Sequence, residues 1–239
     1  MATFLSLTNE LLRRMGEVQL DSTEFSDAKN IQGLAKDAVN SAIRELMHTA
    51  QEWPFAIVTY TQTLTSGQSV YSFQSDTSSV DWDSFYLNRL TAKNNLPSRL
   101  DVITYKQYLD NHKPLEDQAS TGGYDAPRLI YQTGEFKFGV TPIPDDAYEI
   151  VYKYWQFPTD LSDATDVMIV PDRFRNVVLD GAMTYMMTYR SNEQSASIHR
   201  EKFDQGIRSM RRLLLDDPLS MRSTMIVRPI TTATRVANG

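Results

Sequence analysis

The amino-acid sequence predicts an α+β fold: a helical bundle formed by N- and C-terminal helices, with an inserted antiparallel β lobe and an extended C-terminal tail. Three observations carry this. Apolar residues recur at three-to-four spacing at both ends, aromatic and β-branched alternation fills the middle, and the last 22 residues hold arginine but no acid. Terminal helices that flank a sheet must pack on one another or leave their apolar stripes in water. Both ends therefore close one four-helix bundle from which the β segment projects.

Phe4, Leu5, Leu7, Leu11, Leu12 and Met15 mark a short first helix that Gly16 stops. A second is predicted from about Ser26 to Ala50, where Ile31, Leu34, Ala35, Ala38, Val39, Ala42, Ile43 and Leu46 oppose Lys36, Asp37, Asn40, Arg44 and Glu45. Trp53-Pro54-Phe55 ends it, because proline disfavours helix in the residue before it. Ile57 to Leu64, a Ser66-Gly67 turn and Val70 to Phe73 have the content of a hairpin. Phe85, Leu87 and Leu90, then Leu100, Val102 and Ile103, mark further strands, with Ser75 to Asp83 as a linker. Thr104 to His112 predicts a short helix, and Lys113 to Asp125 a loop with Gly122-Gly123 near its end.

Arg128 to Tyr131, a Thr133-Gly134 turn and Glu135 to Val140 predict a hairpin with Phe136 and Phe138 on one face. Ala147 to Phe157 predicts a long strand that sets Tyr148, Ile150, Tyr152 and Tyr154 against Glu149, Val151, Lys153 and Trp155. After a polar crossover, Val170-Pro171-Asp172 announces a helix whose stripe runs through Phe174, Val177, Val178, Gly181, Ala182, Tyr185 and Met186. From about Glu193 to Leu215 a last helix turns Ala196, His199, Phe203, Ile207, Met210 and Leu214 inward. Arg200, Lys202, Arg208, Arg211 and Arg212 point outward. The predicted division is 1–55 and 168–216 for the bundle, 56–167 for the β lobe and 217–239 for the tail.

The 239 residues carry a net charge of −6, unevenly spread: residues 1–189 sum to −10 and residues 190–239 to +4. The two ends should face different partners. Cysteine is absent, which excludes a disulfide framework and any thiolate site. The opening residues lack a basic stretch, and Glu10, Arg13 and Arg14 interrupt the apolar run. Neither a signal peptide nor a spanning helix is expected, and no membrane association; the chain should stay in the cytoplasm where it is made.

No motif points to catalysis. His48, His112 and His199 are the three histidines, and no two stand at the i, i+4 spacing that sets metal ligands on one helical face. Asp145-Asp146 and Asp216-Asp217 are adjacent acids that diverge in direction, and turn or helix-end roles suit them better. Gly122-Gly123 lacks the lysine and helix start of a phosphate loop, and no Gly-x-Ser-x-Gly elbow occurs. No cofactor, metal or catalytic centre is expected. The arginine cluster between Arg200 and Arg212 is diluted by Glu201 and Asp204 and reads as a solvated helix face. After Asp217, by contrast, Arg222, Arg228 and Arg235 alternate with Met225, Ile226 and Ile230 without an acid. These six residues are the predicted anchors of an extended partner-binding arm.

Several segments in order resemble one family. Val39-Asn40-Ser41-Ala42 followed by Trp53-Pro54-Phe55 is one, and Asp125-Ala126-Pro127-Arg128-Leu129-Ile130-Tyr131 before Phe138-Gly139-Val140-Thr141-Pro142-Ile143-Pro144-Asp145 is another. Tyr152-Lys153-Tyr154, Val170-Pro171-Asp172-Arg173-Phe174 and Gly181-Ala182 continue the series. Over nearly its full length the chain is similar to the head-to-tail adaptors of tailed phages, including the tail tubular protein A group of short-tailed phages. That resemblance implies a homo-oligomeric ring, usually of twelve copies, between the portal protein and the tail nozzle or tube at the head-tail junction of the virion. DNA would pass through its channel without sequence-specific binding, to which the acidic body is suited. A β-rich tail or baseplate module contacting host glycans is the rival expectation.

Overall fold

The structure is a computed structural model and describes residues 2–50, 52–89, 98–118, 124–134 and 136–215. Its helices are α1 (Phe4–Arg14), α2 (Ile31–Thr49), α3 (Tyr105–Asn111), α4 (Lys113–Gln118), α5 (Arg175–Tyr189) and α6 (Glu193–Leu214). The strands are β1 (Ile57–Leu64), β2 (Val70–Ser72), β3 (Thr77–Arg89), β4 (Ser98–Arg99), β5 (Asp101–Ile103), β6 (Leu129–Gly134), β7 (Lys137–Thr141) and β8 (Tyr148–Gln156). The α+β class read from the sequence holds.

Helices α1, α2, α5 and α6 bury one shared core, with Phe4, Leu7, Leu11, Val39, Leu46, Val178 and Phe203 fully enclosed. Thr3 caps α1 by accepting the Ser6 N–H, and Gly16 leaves the helix at φ 73°, a region open to glycine. Helix α2 starts at Ile31 rather than near Ser26. Asn30 sits at φ 53°, where a right-handed helix cannot be extended backwards. The preceding segment folds onto α2 instead: Lys36 Nζ donates to the Phe25 carbonyl at 2.9 Å and lies 4.3 Å from the Phe25 ring centroid. At the other end Trp53 is fully buried and its indole N–H donates to the Leu46 carbonyl at 3.2 Å, which anchors the exit.

Three helices meet at Gly181. A Cβ there would stand 2.8 Å from Phe203 Cε2 and 3.0 Å from Ala42 Cβ, so only glycine lets α5 approach α6 and α2 this closely. Gly206 of α6 repeats the device against Val177, at 2.7 Å.

Two four-stranded sheets, ordered β1-β8-β3-β4 and β2-β7-β6-β5, bury a second core between them. Its centre is aromatic: Phe85 stacks on Tyr152 at 4.9 Å between centroids, and Phe73 meets Phe138 at 5.0 Å. The alternation in β8 appears as expected, with Tyr148, Ile150, Tyr152 and Tyr154 buried.

Local pattern misled the reading at several places. The expected β1–β2 hairpin does not form, because β1 pairs with β8 and β2 with β7. Ser66-Gly67 turns a corner between sheets, which Tyr71 fixes by donating to the Gln68 carbonyl at 2.7 Å and accepting the Thr65 N–H at 3.0 Å. The supposed linker before Asp83 belongs to β3, which bulges between Asp81 and Tyr86; there Ser84 Oγ donates to the Asp81 carbonyl and accepts the Lys153 N–H. Lys113–Gln118 is helix rather than loop. Phe136 lies in the β6–β7 turn at φ 56° and is exposed, while Phe138 is buried, so the two do not share a face. The lobe is not wholly antiparallel, since β5 and β6 run parallel. Gly122-Gly123 and Leu90 lie outside the described residues.

Candidate functional site

The six predicted anchor residues, Arg222, Met225, Ile226, Arg228, Ile230 and Arg235, all lie outside the described residues, as do Asp216 and Asp217. The remaining candidates for chemistry are scattered. His48 packs on Phe157 with centroids 4.8 Å apart, His112 closes α3, and His199 Nδ1 lies 3.1 Å from Asp180 Oδ1 on α5. Asp145 accepts the Tyr148 hydroxyl at 2.5 Å and Asp146 accepts the Ala147 N–H at 2.7 Å, which are turn roles. Among the described residues no three His, Asp or Glu side chains are grouped to hold a metal ion, and no helix is long and apolar enough to cross a membrane.

A polar seam ties the bundle to the crossover between β8 and α5. Arg44 of α2 forms a two-pronged pair with Asp160 at 2.7 and 2.6 Å, which raises the guanidinium pKa further. Asn40 donates to the Leu161 carbonyl at 3.0 Å and accepts the Leu161 N–H at 3.1 Å, and the Phe4 N–H donates to the Asp166 carbonyl at 2.7 Å. Asp166 in turn accepts the N–H groups of Asp163 and Ser162, which lowers its carboxyl pKa. The crossover is thereby held against α1 and α2. A second knot joins Glu45 to the Tyr185 hydroxyl at 2.8 Å and to Arg200 at 2.5 Å, so α2, α5 and α6 share one carboxylate.

The β lobe carries a feature the sequence reading missed. Glu116 of α4 accepts the Tyr108 hydroxyl at 2.9 Å and the Thr141 hydroxyl at 2.7 Å, and Tyr108 stacks on the buried Tyr131. Burial first, then the Tyr108 hydrogen bond, pushes the Tyr131 hydroxyl pKa well up. Tyr131 lies over Gly139, where a side chain would collide with its ring. The glycine in Phe138-Gly139-Val140 thus makes room for the tyrosine that docks the helix pair α3 and α4. Pro114, second in α4, was the legible signal for that helix.

Beside this knot runs an open trough of about 540 Å³, lined by Trp82, Val102, Tyr105, Gln132 and Gly134. A smaller one of about 330 Å³ shares Trp82 and Gln132 and reaches Phe73 and Phe136. Tyr86, Tyr105, Tyr124 and Phe136 are exposed on the lobe, and Tyr189 on the bundle. Aromatic side chains are enriched at protein-contact surfaces.

Comparison with known families agrees with that character. The family model described as SU10 adaptor protein matches residues 2–228, which include both cores and the start of the tail. The chain belongs to the SU10 adaptor protein family, and the resemblance to phage head-to-tail adaptors is thereby borne out. Among curated proteins, none matches.

Proposed function

We propose that this chain is the head-to-tail adaptor subunit of a tailed-phage virion. Copies of it form a ring, of twelve in the usual arrangement, between the portal protein and the tail nozzle or tube. The family match from residue 2 to residue 228 is the observation that supports this most strongly. In this reading the helical lobe, near 1–55 and 168–216, makes the ring and faces the portal. Residues near 56–167 point to the tail component, and the arm beyond residue 217 grips the portal through Arg222, Met225, Ile226, Arg228, Ile230 and Arg235. Modest affinity per arm, multiplied around a symmetric ring, gives a stable joint. The net −10 of residues 1–189 suits a conduit in which phosphates slide and are not held.

Negative-stain imaging of the purified chain mixed with portal rings tests the proposal. A ring stacked on the portal supports it, and a chain that ignores the portal overturns it. The glycan-binding alternative has one observation in its favour, the trough where Trp82 and Tyr105 stand beside Gln132. It requires saturable sugar binding that Trp82→Ala abolishes.

A further inference from the structure

Of the sheet edges among the described residues, β1 is unlike the rest. Strands β2, β4 and β5 offer two or three residues each, whereas β1 offers eight and bonds to β8 on one side only. Among the described residues its main chain makes no other main-chain hydrogen bond. From Ile57 to Leu64 it has neither charge nor proline, two of the means by which edge strands are commonly protected from pairing. Its outward residues Ile57, Thr59, Thr61 and Thr63 are exposed. An edge of this kind takes up an extended chain through main-chain hydrogen bonds.

The chain carries a matching segment beyond α6. Ile226-Val227 and Ile230-Thr231-Thr232 are strong strand formers, and Pro229 is compatible with an outermost strand. The bundle delivers this segment to the right place. Phe203 of α6 packs at Gly181 of α5 and Gly206 at Val177, so α6 runs back along α5 and ends near its start. Helix α2 is also antiparallel to α5, with Ala42 at Gly181 and Leu34 and Ala38 beside Tyr185 and Tyr189. Its C-terminal end therefore lies at the same end of the bundle, and from there Trp53-Pro54-Phe55 leads directly into β1. The last turn of α6 and the first residue of β1 thus leave from one end. Residues 216–239 reach up to roughly 80 Å when extended, against about 26 Å for β1.

We propose that in the free subunit the segment Ile226–Val236 lies along the open edge of β1 as an added strand, and that docking on the portal draws it away. The pairing rests on the edge and the course of the chain; only the release step rests on the portal-arm reading. While paired, the segment covers this long uncharged edge and so keeps free subunits from joining through it.

Hydrogen exchange on the dilute full-length chain tests this, alongside the full-length double variant Thr232→Asp/Thr234→Asp and a deletion of residues 219–239. The β1 amides that do not bond β8 should exchange at least about tenfold more slowly in the parent than in either variant, with β8 amides unchanged. Equal exchange in all three overturns the proposal. So does protection that survives the deletion and grows with protein concentration, which assigns the edge to a second copy. Portal binding by the same chains is read separately: a parent that shows the protected edge yet ignores the portal upholds the pairing and removes the release step.

Discussion

Gly181→Leu probes the bundle at its tightest point. Even the first added atom, the Cβ, would stand 2.8 Å from Phe203 Cε2 and 3.0 Å from Ala42 Cβ, closer than carbon atoms pack. Neither neighbour can yield freely, because Phe203 is fully buried and Ala42 Cβ is fixed to the α2 backbone. Replacing glycine inside a helix returns about 1 kcal/mol of backbone propensity. Overpacking costs about 1–3 kcal/mol, and three further carbons place leucine at the top of that range. The net expectation is a loss of about 2 kcal/mol, or roughly 4–8 °C in Tm for a chain of this size. Urea denaturation of parent and variant gives the midpoint shift, and an unchanged slope confirms that both unfold the same surface. Gly134→Ala is the matched control, since nothing lies within 4 Å of a Cβ placed there. A Gly181→Leu protein as stable as the parent would refute the placement of α5 between α2 and α6.

Two further outcomes follow from the lobe. Phe85→Ala should cost about 3–5 kcal/mol in denaturant unfolding, because the ring is fully buried against Tyr152, Phe138 and Phe73; a loss under 1 kcal/mol would contradict the aromatic core. Stability should also fall at alkaline pH. Burial and the neighbouring Asp76 push the Tyr154 pKa up to about 12, and burial raises Tyr131 and Tyr152 as well. Unfolded tyrosines ionise near pH 10, so the native state holds protons the unfolded state has released. The stabilisation is complete below about pH 10 and is lost as pH climbs through 12, which denaturation midpoints together with tyrosinate absorbance will follow. A midpoint flat across that range would contradict the buried hydroxyls.

Much of the fold was legible because it is local. The stripes of α1 and α6, the β6–β7 hairpin and the alternation of β8 each follow from short-range periodicity, and each appears in the structure. What the sequence hid was partnership. Nothing in Ile57–Leu64 and Val70–Ser72 reveals that a corner at Ser66-Gly67 sends them to different sheets, because the deciding contact is Tyr71 folding back on Thr65. Lys113–Gln118 is too short for periodicity to register, and its Glu116 acquires meaning through Thr141, which is distant in sequence. The arm was singled out by composition alone, from arginines without acids.

Attachment to portal-bearing heads is the most direct test of the account. Full-length subunit and the 219–239 deletion, both shown by circular dichroism to keep their helices, would be sedimented with such heads and the bound fraction measured. The full chain should bind, and the deletion should bind weakly or not at all. Full retention of the deleted chain on heads would contradict it.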